Sequence, residues 1–283
     1  MSHRLVVPVD GSHDSWRAVD HAFALAHRTG ARVVLVSVEY SVVDRQRARD
    51  HLEVEVRRRQ PLVEVEIEVR LAVDSVAAEI AAVADASENS LVVMSSHGRG
   101  RSTAIVGSVT DGVLRRISGP TLLIGPRSAV GRLDGPVVIA VDGSERSERS
   151  LPHGVRWAEA LGVDAWVVHV GTETFLHTTD LAESAYIEGL ARREGERAGR
   201  TVQHEELHGR RPIPAITEYV DSVGASMLVA SSHGRTGIEK LTMGSVSSGF
   251  VRRAACPVLL VRGSPIDPLP AEPRVRQDFD TVS

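Results

Sequence analysis

Short apolar runs alternate with amphipathic stretches along the whole chain. The runs at 5–9 and 91–94 are continuously apolar, and the run at 33–38 is apolar except for Ser37, which is typical of strands buried on both faces of a parallel sheet. Between them, apolar residues spaced three and four apart predict helices, and Gly30 supplies a stop after the first one. The alternating pattern at 63–69 predicts an edge strand with one face in water. Strands that alternate with helices predict an α/β fold with helices on both faces of a parallel sheet.

The chain carries this pattern twice. Four segments recur in the same order: 7–12 at 139–144, 92–99 at 228–235, 107–109 at 244–246, and 119–124 at 256–261. The offset drifts only from 132 to 137 residues, which indicates a duplicated domain rather than a solenoid of short repeats. We therefore predict two tandem doubly wound parallel-sheet domains at 1–125 and 136–263. The Pro-containing segment at 264–283 is predicted to be a disordered tail.

Length, charge and cysteine content narrow the possible functions. The 283 residues suffice for two ordinary domains. The net charge of −4 lacks the basic footprint of nucleic-acid binding. No apolar run approaches the roughly 20 residues of a membrane span, and the single Cys256 argues against a disulfide framework or a cysteine-based metal site. We expect a cytoplasmic protein without a nucleic-acid partner, a membrane partner or a metal site.

Three of the recurring segments point to the same edge of the sheet. Asp10 and Asp142 end the first strands, the two Ser-Ser-His-Gly-Arg segments follow the fourth strands, and two Gly-Ser pairs open the last helices. In open α/β sheets, ligands bind beyond the carboxyl ends of the strands, where the strand order reverses. A helix N-terminus also offers unpaired N–H groups and a partial positive charge. The pattern therefore favours a phosphate-containing ligand.

Each of these segments also has an ordinary structural interpretation. The Asp or Ser of Asp-Gly-Ser can cap the following helix, and the Ser of Gly-Ser can be an N-cap behind a turn glycine. Ser-Ser-His-Gly can be a plain turn between strand and helix. Two familiar nucleotide motifs are excluded: the Gly-x-Gly at 98–100 lacks the third small residue and follows a late strand, and no P-loop sequence occurs.

Taken together, the segments resemble the universal stress protein family over about 3–125 and 136–262. The resemblance rests on the strand-end Asp-Gly-Ser, on Ser-His-Gly-Arg, and on Gly-Ser-Val-Ser/Thr followed by a helix and a Pro-Thr/Val-Leu-Leu strand. It implies a Rossmann-like, adenine nucleotide alpha hydrolase-like fold that binds ATP, with or without Mg²⁺. It also implies that the two domains pair through their last strands within one chain, and it allows a homodimer of the whole chain.

The family's ATP-binding members carry Gly-x-x-Gly, nine residues, and then Gly-Ser/Thr. The second half matches this pattern except that Ser231 replaces the first glycine. The first half departs twice, because Ser95 replaces that glycine and only eight residues separate Gly98 from Gly107. The serine side chain would narrow the loop in both halves. Because the first half also has the shorter spacing, the resemblance implies a better site in the second half.

By the same resemblance, the strand-end aspartates lie by the adenosine part of the ligand, two valines at the ends of the second strands contact the adenine, and the glycine-rich segments hold the phosphates. The binding residues implied in the second half are Asp142, Val170, Ser232, His233, Gly234, Arg235, Gly244, Ser245, Val246 and Ser247. Those in the first half are Asp10, Val38, Ser96, His97, Gly98, Arg99, Gly107, Ser108, Val109 and Thr110.

No pair of acid and base, and no nucleophile tied to a histidine, emerges from the spacing, so no catalytic residue is predicted. The first hypothesis is an ATP-binding regulatory or stress-response module with at most weak ATP hydrolysis. The second is an interaction module of the same family that has lost nucleotide binding. The third is a slow ATPase or phosphotransferase in which Asp142 places magnesium and His233 assists transfer.

Overall fold

A computed structural model of the chain describes residues 4–87, 89–97, 106–171, 177–209, 211–232 and 243–262, with the backbone alone at 177–183. In the first half the strands are β1 (Arg4–Pro8), β2 (Arg32–Glu39), β3 (Val65–Leu71), β4 (Ser90–Ser95) and β5 (Thr121–Ile124), and the helices are α1 (His13–Thr29), α2 (Val42–Arg59), α3 (Val76–Asp85) and α4 (Ser108–Arg116). In the second half the strands are β6 (Val137–Val141), β7 (Ala165–Gly171), β8 (Gln203–His208), β9 (Met227–Ser231) and β10 (Val258–Val261), and the helices are α5 (Glu145–Glu148), α6 (Leu151–Leu161), α7 (His177–Ala198), α8 (Pro212–Ser222) and α9 (Ser245–Arg253). The predicted tail at 264–283 lies outside the described residues.

All ten strands form one sheet in the order β3-β2-β1-β4-β5-β10-β9-β6-β7-β8. Pairing within each half is parallel, as the apolar runs predicted, and β3 lies at an edge. The strand order reverses between β1 and β4 and, in the second half, between β6 and β9. These two reversals are the places where an open α/β sheet binds ligands.

The two halves join through their last strands, which confirms the pairing that the family resemblance implied. β5 and β10 are antiparallel, with Leu122 opposite Leu259. Each face of the sheet carries one core cluster, and both clusters contain buried residues from both halves. The halves therefore share their hydrophobic cores, and separating them would expose buried apolar surface.

The helix after the first strand differs between the halves. In the first half it is one helix of 17 residues, α1. In the second half it is divided into α5 and α6, with Pro152 in the first turn of α6. Because proline has no backbone N–H, Pro152 cannot donate to the carbonyl of Glu148, and a continuous helix would lose that bond. Among the described residues no helix has the length and apolarity that crossing a bilayer requires.

Arginines of α1 tie the first half to the connection between the halves. Arg17 donates to the carbonyl oxygens of Gly125 at 3.2 Å and Ser128 at 2.8 Å. Arg28 donates to the carbonyl oxygen of Leu161, at the end of α6, at 2.7 Å. These bonds orient the connecting segment and join α1 to the end of α6.

His21 is a buried titratable group on α1. Its side chain is among the core residues at 5% exposure, and its Nε2 has no hydrogen-bond partner among the described residues. Burial and, to a smaller extent, the charge of Arg17 lower the pKa of His21 to about 4, although a hydrogen bond with the backbone of Ser128 partly opposes both effects. Burial, with a smaller effect from Arg156, also lowers the pKa of the equivalent His153 to about 4. Both histidines are therefore neutral in the fold at pH 7.

Acidification should destabilise the fold through His21. Because the unfolded chain binds this proton near pH 6.5 and the folded chain only near pH 4, stability is full above pH 6.5 and falls as the pH drops towards 4. The loss attributable to this group is about 3 kcal/mol. We expect His21→Gln to flatten the decline of the free energy of unfolding between pH 6.5 and 4, measured by urea denaturation. The exposed His27→Gln on the same helix is the control, and equal slopes in both variants would contradict the assignment.

Candidate functional site

The strand-end Asp-Gly-Ser of the first half forms a tight turn into α1. Gly11 has φ 79°, a left-handed conformation that suits glycine. The Ser12 N–H donates to Asp10 Oδ1 at 2.9 Å, and the Ser12 hydroxyl oxygen accepts from the N–H of Ser15 at 3.1 Å. The serine is thus the helix cap, as one interpretation of the sequence held, whereas the exposed aspartate orders the turn.

The second half repeats this turn with more contacts to its aspartate. Asp142 Oδ1 accepts from the Ser144 N–H at 3.0 Å and from the Ser144 hydroxyl at 2.6 Å. The Ser147 hydroxyl lies 3.1 Å from the N–H of Asp142, which donates to it. Asp142 is half-buried, whereas Asp10 is exposed.

The fourth strand and the last helix of the first half meet although their sequences are separated. The Gly107 N–H donates to the carbonyl oxygen of Ser96 at 2.8 Å, and the Thr110 hydroxyl donates to that of Ser95 at 3.1 Å. Because β1 pairs in parallel with β4, this junction lies beside the turn of Asp10. The structure therefore brings the strand-end aspartate, the serine segment and the Gly-Ser pair to one edge.

The second half has the same junction. The Gly244 N–H donates to the carbonyl oxygen of Ser232 at 3.1 Å, and the Ser247 hydroxyl donates to that of Ser231 at 2.9 Å. β6 pairs in parallel with β9, as β1 does with β4. The hydroxyls of Thr110 and Ser247, which the sequence placed among the ligand contacts, are buried and hold the helix against the strand.

The helices α4 and α9 begin without a side-chain cap. Their N-caps are Gly107 and Gly244, and neither helix has a side-chain cap hydrogen bond among the described residues. The alternative in which the serine of Gly-Ser is the N-cap is wrong, because Ser108 and Ser245 are already helical and exposed. The N–H groups of each first turn thus have no partner within the helix and remain suited to an anion.

The two helix ends differ in charge. The first turn of α4 contains Asp111, whose carboxylate also binds Arg115 at 2.7 Å, whereas the first turn of α9 contains no acidic residue. A carboxylate near a helix N-terminus competes with a bound anion for the positive end of the dipole. The second half therefore offers the more favourable phosphate position.

The remaining predicted contacts lie around this edge. Val38 and Val170 are half-buried near the ends of β2 and β7, one strand beyond the aspartates, and Val109 and Val246 are exposed in the first turns of α4 and α9. Ser96 Oγ lies 3.1 Å from His97 Nδ1, and the Ser95 hydroxyl donates to the carbonyl oxygen of His97 at 2.5 Å. Five predicted contacts lie outside the described residues: Gly98, Arg99, His233, Gly234 and Arg235.

The hydroxyl of Thr110 provides a test of the strand–helix junction. Thr110→Val keeps the shape of the side chain but leaves the carbonyl of Ser95 without this donor. We expect the free energy of unfolding to fall by about 1 kcal/mol, measured by urea denaturation. Ser108→Ala, which removes an exposed hydroxyl in the same turn, should change it by less than about 0.5 kcal/mol; equal losses would show that the junction does not depend on this bond.

The fold and this edge define a tandem α/β protein in which each half brings a strand-end aspartate, a serine segment and a glycine-led helix N-terminus together. The sequence profile of the universal stress protein family matches residues 1–125 and 135–262. The chain therefore belongs to the universal stress protein family.

Individual relatives agree with this assignment. A universal stress protein of Mycolicibacterium smegmatis is 30% identical over an alignment of 195 positions, and the match covers 63% of this chain and 64% of that protein. The universal stress protein YxiE of Bacillus subtilis is 28% identical over an alignment of 144 positions, and the match covers 44% of this chain and 97% of that protein. This chain thus spans a little under two thirds of the mycobacterial relative and matches nearly all of the Bacillus protein.

A solved structure shows the same tandem fold. The crystal structure of a universal stress protein from Archaeoglobus fulgidus superimposes with a TM-score of 0.66 at 19% identity, covering 93% of this chain and 99% of that one. Similarity at this level of identity establishes the arrangement of helices and strands alone.

Proposed function

We propose that the chain is a nucleotide-dependent regulatory module that binds an adenine nucleotide, with ATP as the expected ligand. The observation that carries the proposal is the pair of uncapped, glycine-led helix N-termini, each held against a strand end beside an aspartate. Such an arrangement supplies N–H donors for phosphate and a carboxylate for the nucleoside.

We assign the principal site to the second half. Gly244 and the first turn of α9 would receive the phosphates, because this turn contains no acidic residue. Asp142 would lie by the adenosine part and Val170 by the adenine. Where Mg²⁺ accompanies ATP, it would be carried by the phosphates, since the described residues contain no group of three or more metal-ligating side chains.

The proposal concerns binding rather than turnover. Among the described residues, the groups at this edge include an aspartate, backbone N–H groups, and serine hydroxyls that donate to this aspartate or to the backbone. These groups position a nucleotide, and slow hydrolysis would be incidental to that role. A cytoplasmic location and a homodimer of the whole chain stay predictions.

A second candidate is an interaction module without nucleotide. Ser95 and Ser231 favour it, since each stands where the family's ATP binders have glycine, and the Ser95 hydroxyl is hydrogen-bonded within its own turn.

Nucleotide release from the purified full chain separates these candidates. Acid or heat should release an adenine nucleotide that chromatography identifies, and the depleted protein should rebind ATP, ADP, AMP or cyclic AMP in calorimetric titrations. One nucleotide per chain is the result expected from a working second half, and two would add the first. The absence of both bound nucleotide and binding at millimolar concentrations would favour the interaction module.

A further inference from the structure

The two halves differ beside their strand-end aspartates. When the repeats are aligned on Asp10 and Asp142, Glu148 occupies the place of Trp16. The Trp16 side chain is 9% exposed, and the guanidinium carbon of Arg59 lies 4.2 Å from its ring centroid. In the first half, the corner beside Asp10 is therefore closed by the Trp16 ring, which the Arg59 guanidinium covers.

In the second half, polar side chains fill the corresponding corner beside Asp142. The Tyr186 hydroxyl of α7 donates to Glu148 Oε1 at 2.7 Å, and Arg193 lies 3.8 Å from Glu148 Oε2. The buried His169 packs edge-on against Tyr186 at 6.2 Å between ring centroids, and its Nδ1 lies 2.9 Å from the carbonyl oxygen of Val141, the last residue of β6. Since a carbonyl oxygen only accepts, this nitrogen carries the proton. These contacts anchor Tyr186 at the edge of the sheet.

Both carboxylates of this corner act on the same phenol. The pKa of Tyr186 is raised, first by burial, then by the hydrogen bond and charge of Glu148, and then by the charge of Asp142. The phenol therefore stays protonated at neutral pH and remains a donor that orients Glu148. The Glu148 side chain is 31% exposed, so its carboxylate is partly accessible to a ligand, and it lies only six residues beyond Asp142 in the chain.

A carboxylate held in this way accepts hydrogen bonds and repels phosphate. Sugar hydroxyls are donors, and acidic side chains close to the carboxyl ends of strands recognise them in other doubly wound folds. Glu148 lies in α5, seven residues after β6 ends. We propose that Glu148, positioned by Tyr186, recognises the sugar hydroxyls of a nucleotide bound in the second half, so that this half selects ribonucleotides over deoxyribonucleotides. The inference rests on the proposed function. The first half, with Trp16 in the equivalent place, makes no such selection.

The test compares three nucleotides on the nucleotide-depleted full chain. Gly107→Glu is introduced first, so that calorimetry reports the second half alone. We expect ATP to bind at least about 10-fold more tightly than 2′-deoxy-ATP, 3′-deoxy-ATP or both, because a deoxy sugar lacks a hydroxyl that would donate to the carboxylate that the nucleotide covers. Glu148→Gln should reduce this ratio to about 3-fold or less, since an uncharged acceptor forms weaker hydrogen bonds. Glu145→Gln, in the same short helix and 86% exposed, should leave the ratio unchanged.

The possible results separate the two claims. Equal affinities for all three nucleotides would overturn the inference and leave nucleotide binding intact, and this comparison needs no variant at Glu148. A Glu148→Gln variant that weakens all three equally would show a structural role and also overturn it. If the chain without any substitution binds no nucleotide, the proposed function fails and the inference fails with it.

Discussion

Gly125→Ala should lower the free energy of unfolding by about 3 kcal/mol, the upper part of the range for overpacked sites. A Cβ at this position would lie 1.9 Å from the carbonyl oxygen of Val251 and 3.1 Å from its carbonyl carbon. Both atoms belong to the backbone of α9, so no side-chain rotation relieves the overlap. Since Gly125 follows β5 in the first half and α9 belongs to the second, the substitution would force the two halves apart.

Urea denaturation followed by circular dichroism measures this effect, and Gly119→Ala is the matched control. A Cβ at Gly119 has as its nearest neighbour the carbonyl oxygen of Ser90 at 3.8 Å, an ordinary contact. We expect the control to differ from the parent by less than about 0.5 kcal/mol. Equal stability of the two variants would contradict the close packing of the halves at Gly125.

Gly244→Glu should weaken nucleotide binding in the second half by about 100-fold or more, because a carboxylate would stand where the phosphates lie. Gly244 has φ −61° and ψ 156°, an extended conformation open to any residue. A negative charge at a helix N-terminus also stabilises the helix. The variant should therefore fold as well as the parent and lose affinity alone.

Calorimetric titration of the depleted protein with ATP measures that loss. The matched substitution in the first half, Gly107→Glu, should leave the tighter binding event unchanged. If Gly244→Glu retained the affinity of the parent while thermal unfolding showed an intact fold, the phosphates would not lie at α9.

Much of the fold could be predicted from the sequence because its signals are local. Continuous apolar runs and helical spacing located the strands and helices, and the alternating run at 63–69 predicted the edge strand β3 (Val65–Leu71). The repeat predicted two similar halves. Joining them through β5 and β10 required the family resemblance, because no feature of either strand specifies its partner.

The sequence predicted which segments form the candidate site, but not which atoms in them make contact. Both glycine and serine are found at helix N-caps, so Gly-Ser alone could not show that Gly244 is the cap and Ser245 the first helical residue. The contact of Glu148 with Tyr186 joins residues 38 positions apart on different helices, and no periodicity marks it. Aligning the repeats, with Trp16 opposite Glu148, is the one sequence signal that could have drawn attention to this corner.

The central claim is that an adenine nucleotide binds where α9 begins beside β9 and Asp142. Amide chemical-shift mapping by nuclear magnetic resonance, with ATP added to the depleted full chain, tests it most directly. We expect the largest changes on the N–H groups of the first turn of α9 and on those near Ser232, Asp142 and Val170, with smaller changes at α4. Changes confined to another surface, or none at millimolar ATP, would contradict it.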